Sequence, residues 1–193
     1  TKLGRYCRLL IRCRRAHNSN SSEIDFNKYM LEYRKIIPSD NKILADIITS
    51  IMKEFKEDPK GTIVEDPTLH TMYENYTQGK GVYYVAVEDD KILGGSGINQ
   101  LDGTPEKICE LQRMFLLPES RGKGIGKKLM ELCLEAAKNL GYEKIYLETL
   151  DNMNDARKLY LKSGFECIEK PLGSTGHCGC NTWMEKILLK KRL

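Results

Sequence analysis

The stretch that decides the fold is Pro118-Glu119-Ser120-Arg121-Gly122-Lys123-Gly124-Ile125-Gly126-Lys127-Lys128. The residues before it, 109–117, form a predicted strand, which ends at Pro118 because proline cannot donate to a strand ladder. The residues after it carry apolar side chains at helical spacing until Gly141 ends the pattern. These apolar positions are Ile125, Leu129, Leu132, Cys133, Ala136, Ala137 and Leu140. The local unit is therefore a strand, a glycine turn and an amphipathic helix.

Three glycines alternate within this turn, at Gly122, Gly124 and Gly126. They leave backbone N–H groups bare of side chains at a helix N-terminus, where unpaired donors and the helix dipole favour an anion, phosphate above all. Arg121 and Lys123 add positive charge to the same place. The turn is therefore a predicted phosphate-binding site.

Two common phosphate-binding motifs do not fit this spacing. A dinucleotide-binding G-x-G-x-x-G fingerprint would need glycine at Lys127, and a P-loop would need serine or threonine at Lys128. Both classes of nucleotide-binding site are excluded for this stretch.

The spacing that the turn does have is Arg121-x-x-Gly124-x-Gly126. Here the sequence resembles the GCN5-related N-acetyltransferase (GNAT) superfamily, whose pyrophosphate loop begins with Gln or Arg and continues x-x-Gly-x-Gly or x-x-Gly-x-Ala. Two further blocks resemble the same family in the right order. They are Met114-Phe115-Leu116-Leu117-Pro118 and Ala156-Arg157-Lys158-Leu159-Tyr160-Leu161-Lys162-Ser163-Gly164-Phe165. Many members carry asparagine where Met153 stands here, so a cofactor contact from that asparagine is not carried over.

The predicted elements alternate in a mixed α/β order, with neither internal repeats nor a second domain. Strands are predicted at 31–36, 82–87, 92–101, 109–117, 144–150, 165–169 and 182–188, and helices at 40–52, after 66–67, at 125–140 and at 154–163. The expected fold is α/β, a single mixed, mostly antiparallel central sheet flanked by helices, as the resemblance also implies. By length the chain is one domain, assigned to residues 30–193.

We interpret residues 1–29 as a basic, disordered extension or leader. Arginines interrupt their short apolar patch, which is too short for a secretory signal. Three interpretations stay open: an organelle-transit-like leader, an extension upstream of a start at Met30, or a disordered basic tail. We favour an extension that has no role in activity.

The charge of the chain argues against nucleic acid and against an anionic membrane surface. The net charge is +4, but six of the 31 basic residues precede the first acidic residue, Glu23. Without them, 25 basic residues face 27 acidic ones, so the globular part is nearly neutral. No apolar run approaches the ~20 residues of a membrane span.

The seven cysteines are odd in number, which favours a reducing compartment, and we expect the cytoplasm. Three of them, Cys109, Cys133 and Cys167, lie inside predicted elements, where free cysteine behaves as a small apolar residue. A zinc corner at His177 and 178–180 lacks a second pair of ligands nearby, so no metal is predicted.

The resemblance implies that acetyl-CoA is the co-substrate. The family's strand before the glycine loop carries a bulge and its neighbour splays away, and the pantetheine arm lies in the gap. On that basis Met114, Phe115 and Leu116 line the arm, and a backbone N–H near Leu116 binds the thioester carbonyl. The pyrophosphate contacts fall on Arg121, Gly122, Lys123, Gly124, Ile125 and Gly126.

Acyl transfer to an amine needs a base for the amine and an acid for the departing thiolate. Tyr160 matches the family's frequent general acid, with a purely structural core tyrosine as the alternative. Glu110 is the expected base, acting through a water; an exposed strand glutamate is the alternative. Glu148 and Thr149 are the next candidates, and His177 is a candidate on the acceptor side.

The sequence therefore predicts an acetyl-CoA-dependent N-acetyltransferase that uses direct attack in a ternary complex. Cys109, taken as the cysteine nearest the site, provides the test of a covalent alternative. A non-catalytic acyl-CoA-binding regulator of the same fold is the other hypothesis. The expected acceptor is a small-molecule or peptide amine, and a homodimer is left open.

Overall fold

The structure is a computed structural model, and it describes residues 31–55, 60, 62–105, 107–176 and 179–188. The predictions for residues 1–29 and for His177 lie outside the described residues.

A seven-stranded sheet in the order β1-β2-β3-β4-β5-β7-β6 forms the centre of the molecule. Its strands are β1 (Glu32–Lys35), β2 (Val82–Glu88), β3 (Lys91–Gln100), β4 (Ile108–Leu116), β5 (Lys144–Thr149), β6 (Glu166–Ile168) and β7 (Thr182–Ile187). Neighbouring strands are antiparallel except for β4 and β5, which are parallel. The predicted mixed, mostly antiparallel sheet is therefore confirmed.

Four helices cover the two faces of this sheet. They are α1 (Asp40–Phe55), α2 (Met72–Thr77), α3 (Ile125–Asn139) and α4 (Asn154–Lys162). Along β2, Tyr83, Val85 and Val87 pack with α1 and α2, while Val82 and Ala86 pack in clusters that include α3. Since successive side chains of a strand point to opposite faces, β2 is buried on both sides.

A bulge interrupts the pairing of β3 with β4. Gly95 pairs with Phe115 and Gly97 pairs with Gln112, so two residues of β4 oppose one of β3. Arg113 lies in the bulge with a positive φ of 52°. Such an extra residue bends its strand and re-aims the side chains around it.

Glycines of β3 make room for the tyrosine that supports this bulge. A Cβ atom at Gly97 would lie 2.5 Å from the ring of Tyr83, so only glycine lets that ring lie on the sheet. The Tyr83 hydroxyl then donates to the backbone carbonyl of Arg113 at 2.8 Å. The glycine-rich sequence of β3 therefore fixes the backbone of β4 at the bulge.

Pairing between β4 and β5 is short. It runs from Ile108 with Lys144 to Glu110 with Tyr146, and both strands continue beyond it. The two strands therefore separate after Glu110, next to the bulge of β4. Both features that the resemblance implied, the bulge and the splayed neighbour, are present.

Two of the three cysteines expected to be apolar core residues are buried, namely Cys109 and Cys133, whereas Cys167 is exposed.

Within the described part of the chain, no helix combines the length and the apolar character that crossing a bilayer requires.

Candidate active site

The glycine loop precedes α3 and lies at the surface. Gly122 and Gly124 have positive φ angles of 75° and 81°, which L-residues with side chains rarely adopt. Gly124 is the N-cap of α3, and no side chain caps the helix there. A Cβ atom at either glycine would meet nothing within 4 Å, so the backbone angle, rather than lack of space, requires glycine. This end of α3 thus offers backbone donors to an anion.

Gly126 has a different role from the two glycines before it. It lies in the first turn of α3, where a Cβ atom would come within 3.3 Å of Leu159 and 3.4 Å of Leu116. The absence of a side chain therefore lets α3 approach both β4 and α4. Ile125 beside it is buried in the same interior.

The two basic side chains of the loop differ in their surroundings. The Arg121 guanidinium makes two hydrogen bonds to the Glu54 carboxylate, at 2.7 and 2.8 Å, and its Nε donates to the Leu116 carbonyl at 3.2 Å. It also lies over the ring of Phe55. Lys123 is exposed. Arg121 thus ties the loop to the end of α1, while Lys123 projects from the surface.

A cavity of about 110 Å³ opens where β4 and β5 separate. Both expected catalytic residues, Glu110 and Tyr160, line it together with Met114 and Phe115. The side chain of Leu116 lies outside, packed against the cluster of α3 that contains Leu129. The remaining lining comes from Met52, Thr62, Ile63, Asp66, Leu111, Gln112, Arg113, Glu148, Thr149, Leu150, Met153, Gly179 and Cys180.

Glu110 is a buried carboxyl group, 4% exposed, on β4. Burial is the main reason that the pKa of Glu110 is raised to about 7; a hydrogen bond from Gln112 opposes the shift, and the nearby Glu148 carboxylate adds to it. That bond runs from Gln112 Nε2 to Glu110 Oε2 at 2.6 Å. A carboxyl group whose pKa is close to neutrality can accept a proton and lose it again under physiological conditions. The alternative of an exposed strand glutamate is therefore wrong.

Tyr160 projects from α4 and is 6% exposed. Its ring centroid lies 6.0 Å from that of Phe165, in a tilted arrangement. Burial raises the pKa of Tyr160 well above its ordinary value, so the hydroxyl stays protonated and can donate a hydrogen bond. The residue is both part of the core and part of the cavity wall.

Arg113 and Asp66 are site residues that the sequence did not reveal. The Arg113 side chain is 5% exposed, and its guanidinium pairs with Asp66 at 2.5 Å and donates to the Thr68 carbonyl at 3.2 Å. Asp66 also caps the 3₁₀ turn Pro67–His70 by accepting from the Thr68 amide at 2.8 Å. An arginine inside a strand gives no sequence signal of burial, because its partner lies 47 positions away.

A second, polar cavity of about 570 Å³ adjoins the first. The two share Thr62, Asp66, Glu110, Gln112 and Arg113. Its wall carries the carboxylates of Glu65, Asp66, Asp102 and Glu110 against the guanidinium of Arg113, with the amides of Asn75, Asn99, Gln100 and Gln112. The wall thus presents an excess of negative charge and of hydrogen-bonding groups.

Glu148 and Thr149, the next candidates for the base, make other contacts. Glu148 accepts hydrogen bonds from Tyr146 at 2.8 Å and from Thr175 at 2.9 Å, which joins β5 to the segment before β7. The Thr149 hydroxyl lies 3.7 Å from the sulfur of Met153. Met153 is the N-cap of α4 and makes no side-chain capping bond.

Among the cysteines that the structure describes, Cys180 lines the cavity and Cys109 does not. Cys180 is partly exposed. Cys109 is fully buried, its thiol lies 3.6 Å from the Lys144 carbonyl, and burial raises its pKa far above the ordinary value. The expectation that Cys109 is nearest the site is wrong, because its side chain faces the core behind β4. Among the described residues, no cluster of three or more histidine, cysteine, aspartate or glutamate side chains could hold a metal ion.

The sequence model of the Acetyltransferase (GNAT) family matches residues 47–165, which is more than half of the chain. The chain is also 39% identical over 152 residues to the uncharacterised N-acetyltransferase YjgM of Escherichia coli strain K12. That match covers 78% of this chain and 91% of the relative.

Two solved structures have the same architecture. A GNAT-family acetyltransferase of Staphylococcus aureus Mu50 superposes with a TM-score of 0.73 at 26% identity, covering 83% of this chain and 100% of the other. A predicted acetyltransferase of Clostridium acetobutylicum, solved with acetyl-CoA, has a TM-score of 0.63 at 25% identity, and the match covers 74% of this chain and 94% of the other.

Proposed function

This chain belongs to the Acetyltransferase (GNAT) family and is an acetyl-CoA-dependent acetyltransferase, and we propose that it moves the acetyl group directly to a primary amine within a ternary complex. The observation that carries this proposal is the cavity between β4 and β5, which brings Glu110 and Tyr160 together beside Met114 and Phe115. A base for the amine and an acid for the thiolate then line the same cavity.

Acetyl-CoA enters this scheme along β4. Backbone N–H groups of the loop from Arg121 to Gly126 hold the pyrophosphate at the start of α3, with Lys123 adding charge. The pantetheine arm follows the gap between β4 and β5, past Met114 and Phe115. A backbone N–H near Leu116 is the proposed donor to the thioester carbonyl, where negative charge develops.

Glu110 removes the proton from the attacking amine, through a water. The carboxyl must be ionised for this role, so kcat/KM should fall as the pH drops through the pKa of about 7. Tyr160 donates to the departing sulfur and protonates it. Its burial keeps the hydroxyl protonated until that step.

The polar cavity is the proposed acceptor site, because it adjoins the catalytic cavity and shares Glu110 with it. Its wall favours a small, hydrophilic acceptor with at least one positive charge, since Asp102 adds negative charge beyond the Asp66–Arg113 pair and several amides offer hydrogen bonds. A lysine side chain, a polyamine or an amino sugar has this chemistry, whereas an aromatic amine would meet no aromatic side chain on the described part of that wall.

A survey of acceptors tests the proposal, with CoA release followed by a thiol reagent. We expect the enzyme to release CoA faster with polyamines and lysine-containing peptides than with aromatic monoamines at the same concentration. Mass spectrometry of the protein incubated with acetyl-CoA alone should show no acetyl adduct on Cys180, and Cys180→Ala should keep turnover within a few-fold of wild type. A stable Cys180 adduct that an added amine discharges would contradict direct transfer.

A further inference from the structure

A chain of hydrogen bonds reaches Glu110 from α2. The Tyr76 hydroxyl donates to Gln112 Oε1 at 2.9 Å, and Gln112 Nε2 donates to Glu110 Oε2 at 2.6 Å. Glu110 and Gln112 are two positions apart on β4, so their side chains share one face of the strand. The amide therefore lies between a fixed hydroxyl donor and the carboxyl group of the base.

We propose that Gln112, held in one orientation by Tyr76, is a positioning residue for the Glu110 carboxylate. The amide fixes one carboxylate oxygen, Oε2, and with it the orientation of the group that takes the proton from the amine. It also favours the ionised form, because a donor to a carboxylate stabilises its charge. This inference rests on the proposed function, in which Glu110 is the base.

Tyr76 determines which way the amide points. With the opposite orientation, the amide oxygen would face a carboxylate oxygen and the Tyr76 hydroxyl would lose its acceptor. The tyrosine ring cannot turn away easily, because it is buried, lies 5.0 Å from the Tyr83 ring and has the Arg113 guanidinium 5.7 Å from its centroid. Burial also raises the pKa of Tyr76 well above its ordinary value, so its hydroxyl remains a donor at every pH at which the protein works.

The other charged and titratable groups around Glu110 do not replace this amide. Glu148 on β5 and Asp102 in the turn before β4 raise the Glu110 pKa, whereas Arg113 lowers it. Arg113 is itself paired with Asp66. The remaining titratable groups that the structure describes on the two cavity walls are Glu65, Asp66, Tyr160 and Cys180. The short bond from Gln112 is therefore a specific local stabilisation of the carboxylate within a largely acidic surrounding.

The test is a titration of the Glu110 carboxyl carbon by ¹³C NMR in the full-length protein, with Glu110→Gln used to assign the signal. This titration can be carried out without an acceptor amine. In Gln112→Leu the carboxyl should titrate about one pH unit higher than in wild type, since a hydrogen bond to a charged group is lost. Tyr76→Phe keeps the ring and the amide, and it should shift the titration in the same direction by a smaller amount. Gln100→Leu makes the same change on the same polar cavity wall and should leave the Glu110 titration in place.

Once an amine that the enzyme acetylates is known, kcat/KM of Gln112→Leu divided by kcat/KM of the wild type provides a second measurement. It should be lowest at acidic pH and rise toward one above the shifted pKa, whereas damage to packing would lower it equally at every pH. A Glu110 signal that titrates at the wild-type pH in both Gln112→Leu and Tyr76→Phe would overturn the inference. If Glu110→Gln itself turns over at the wild-type rate, the proposed base is wrong, and the inference that depends on it fails too. A slow Glu110→Gln together with an unmoved titration in those two variants would refute the positioning role alone.

Discussion

The glycine loop follows the end of β4, the proposed catalytic cavity opens where β4 and β5 separate, and the two regions are built by different means. The loop is exposed and depends on backbone angles at Gly122 and Gly124, where no neighbouring atom restricts a side chain. The cavity depends on side chains, among them the buried Glu110 and Tyr160, which different elements supply. The proposed anion site in the loop is thus local, since six consecutive residues form it. The cavity exists only when distant parts of the chain come together.

This difference predicts different consequences of mutation. A change in the loop should act mainly on CoA binding, because it alters a contact that is present before and during the reaction. A change in the cavity should act mainly on kcat, because its polar groups interact with charge that forms only in the transition state. Three predictions test this distinction, in order of decreasing effect.

The largest effect is expected for Tyr160→Phe. Removing only the hydroxyl should lower kcat by roughly 10²–10⁴-fold, the range typical of a positioned acid or base, and leave CoA affinity nearly unchanged. The ring should still pack on Phe165, so the fold should persist. Steady-state kinetics and calorimetric titration with CoA provide the two measurements.

The matched control for this variant is Tyr142→Phe. Tyr142 is also buried, and its hydroxyl donates to the Lys80 carbonyl at 3.0 Å, but it does not line the catalytic cavity. Its loss should cost stability with little effect on kcat. If Tyr160→Phe behaves like Tyr142→Phe, with chemistry rate-limiting, then another group protonates the thiolate.

A smaller effect, on binding, is expected for Gly124→Glu. A carboxylate placed at the N-terminus of α3 would repel the pyrophosphate, which should raise the Kd for CoA by roughly 10- to 10³-fold. Gly124→Gln has the same size and the same backbone strain at φ 81° but no charge, so it separates repulsion from strain. Equal Kd values for the two variants would show that the pyrophosphate does not lie at this end of the helix.

The same distinction explains what could be predicted from the sequence. The loop, the strand before it and the helix after it follow from neighbouring residues, and their bounds agree with the structure within a residue or two: 109–117 against Ile108–Leu116, and 125–140 against Ile125–Asn139. The pattern of alternating strands and helices also gave the mixed sheet. Local propensity and spacing are sufficient for features of this kind.

The cavity could be predicted only in part. Motif positions and strand alternation indicated Glu110 and Tyr160 as candidates. No neighbouring residues in the sequence indicated that Glu110 is buried or that Gln112 donates a hydrogen bond to it. Tyr76 is 36 residues from Gln112 in sequence, and Arg113 is 47 from Asp66. Cys180 was missed for the same reason, since the position of its loop depends on the pairing of β7 with β5. Contacts between residues so far apart in sequence depend on the topology of the fold, and a short sequence pattern does not predict them.

The smallest effect is expected at Arg121, the loop residue whose side chain is bound to another part of the protein. Its pair with Glu54 is partly exposed, with 34% and 43% of the side chains accessible, and such pairs contribute about 0–1 kcal/mol. Glu54→Gln and Arg121→Gln should each raise the Kd for CoA by less than about fivefold, because each loosens the loop without removing its backbone donors. The double variant should be no worse than either single one, since both lose the same contact. A direct bond from Arg121 to the pyrophosphate would give another pattern: Arg121→Gln would bind CoA more than about tenfold more weakly, and Glu54→Gln would bind it more tightly, because the guanidinium would be released from its competitor. Calorimetric titration of the four proteins with CoA distinguishes a bracing arginine from a phosphate ligand.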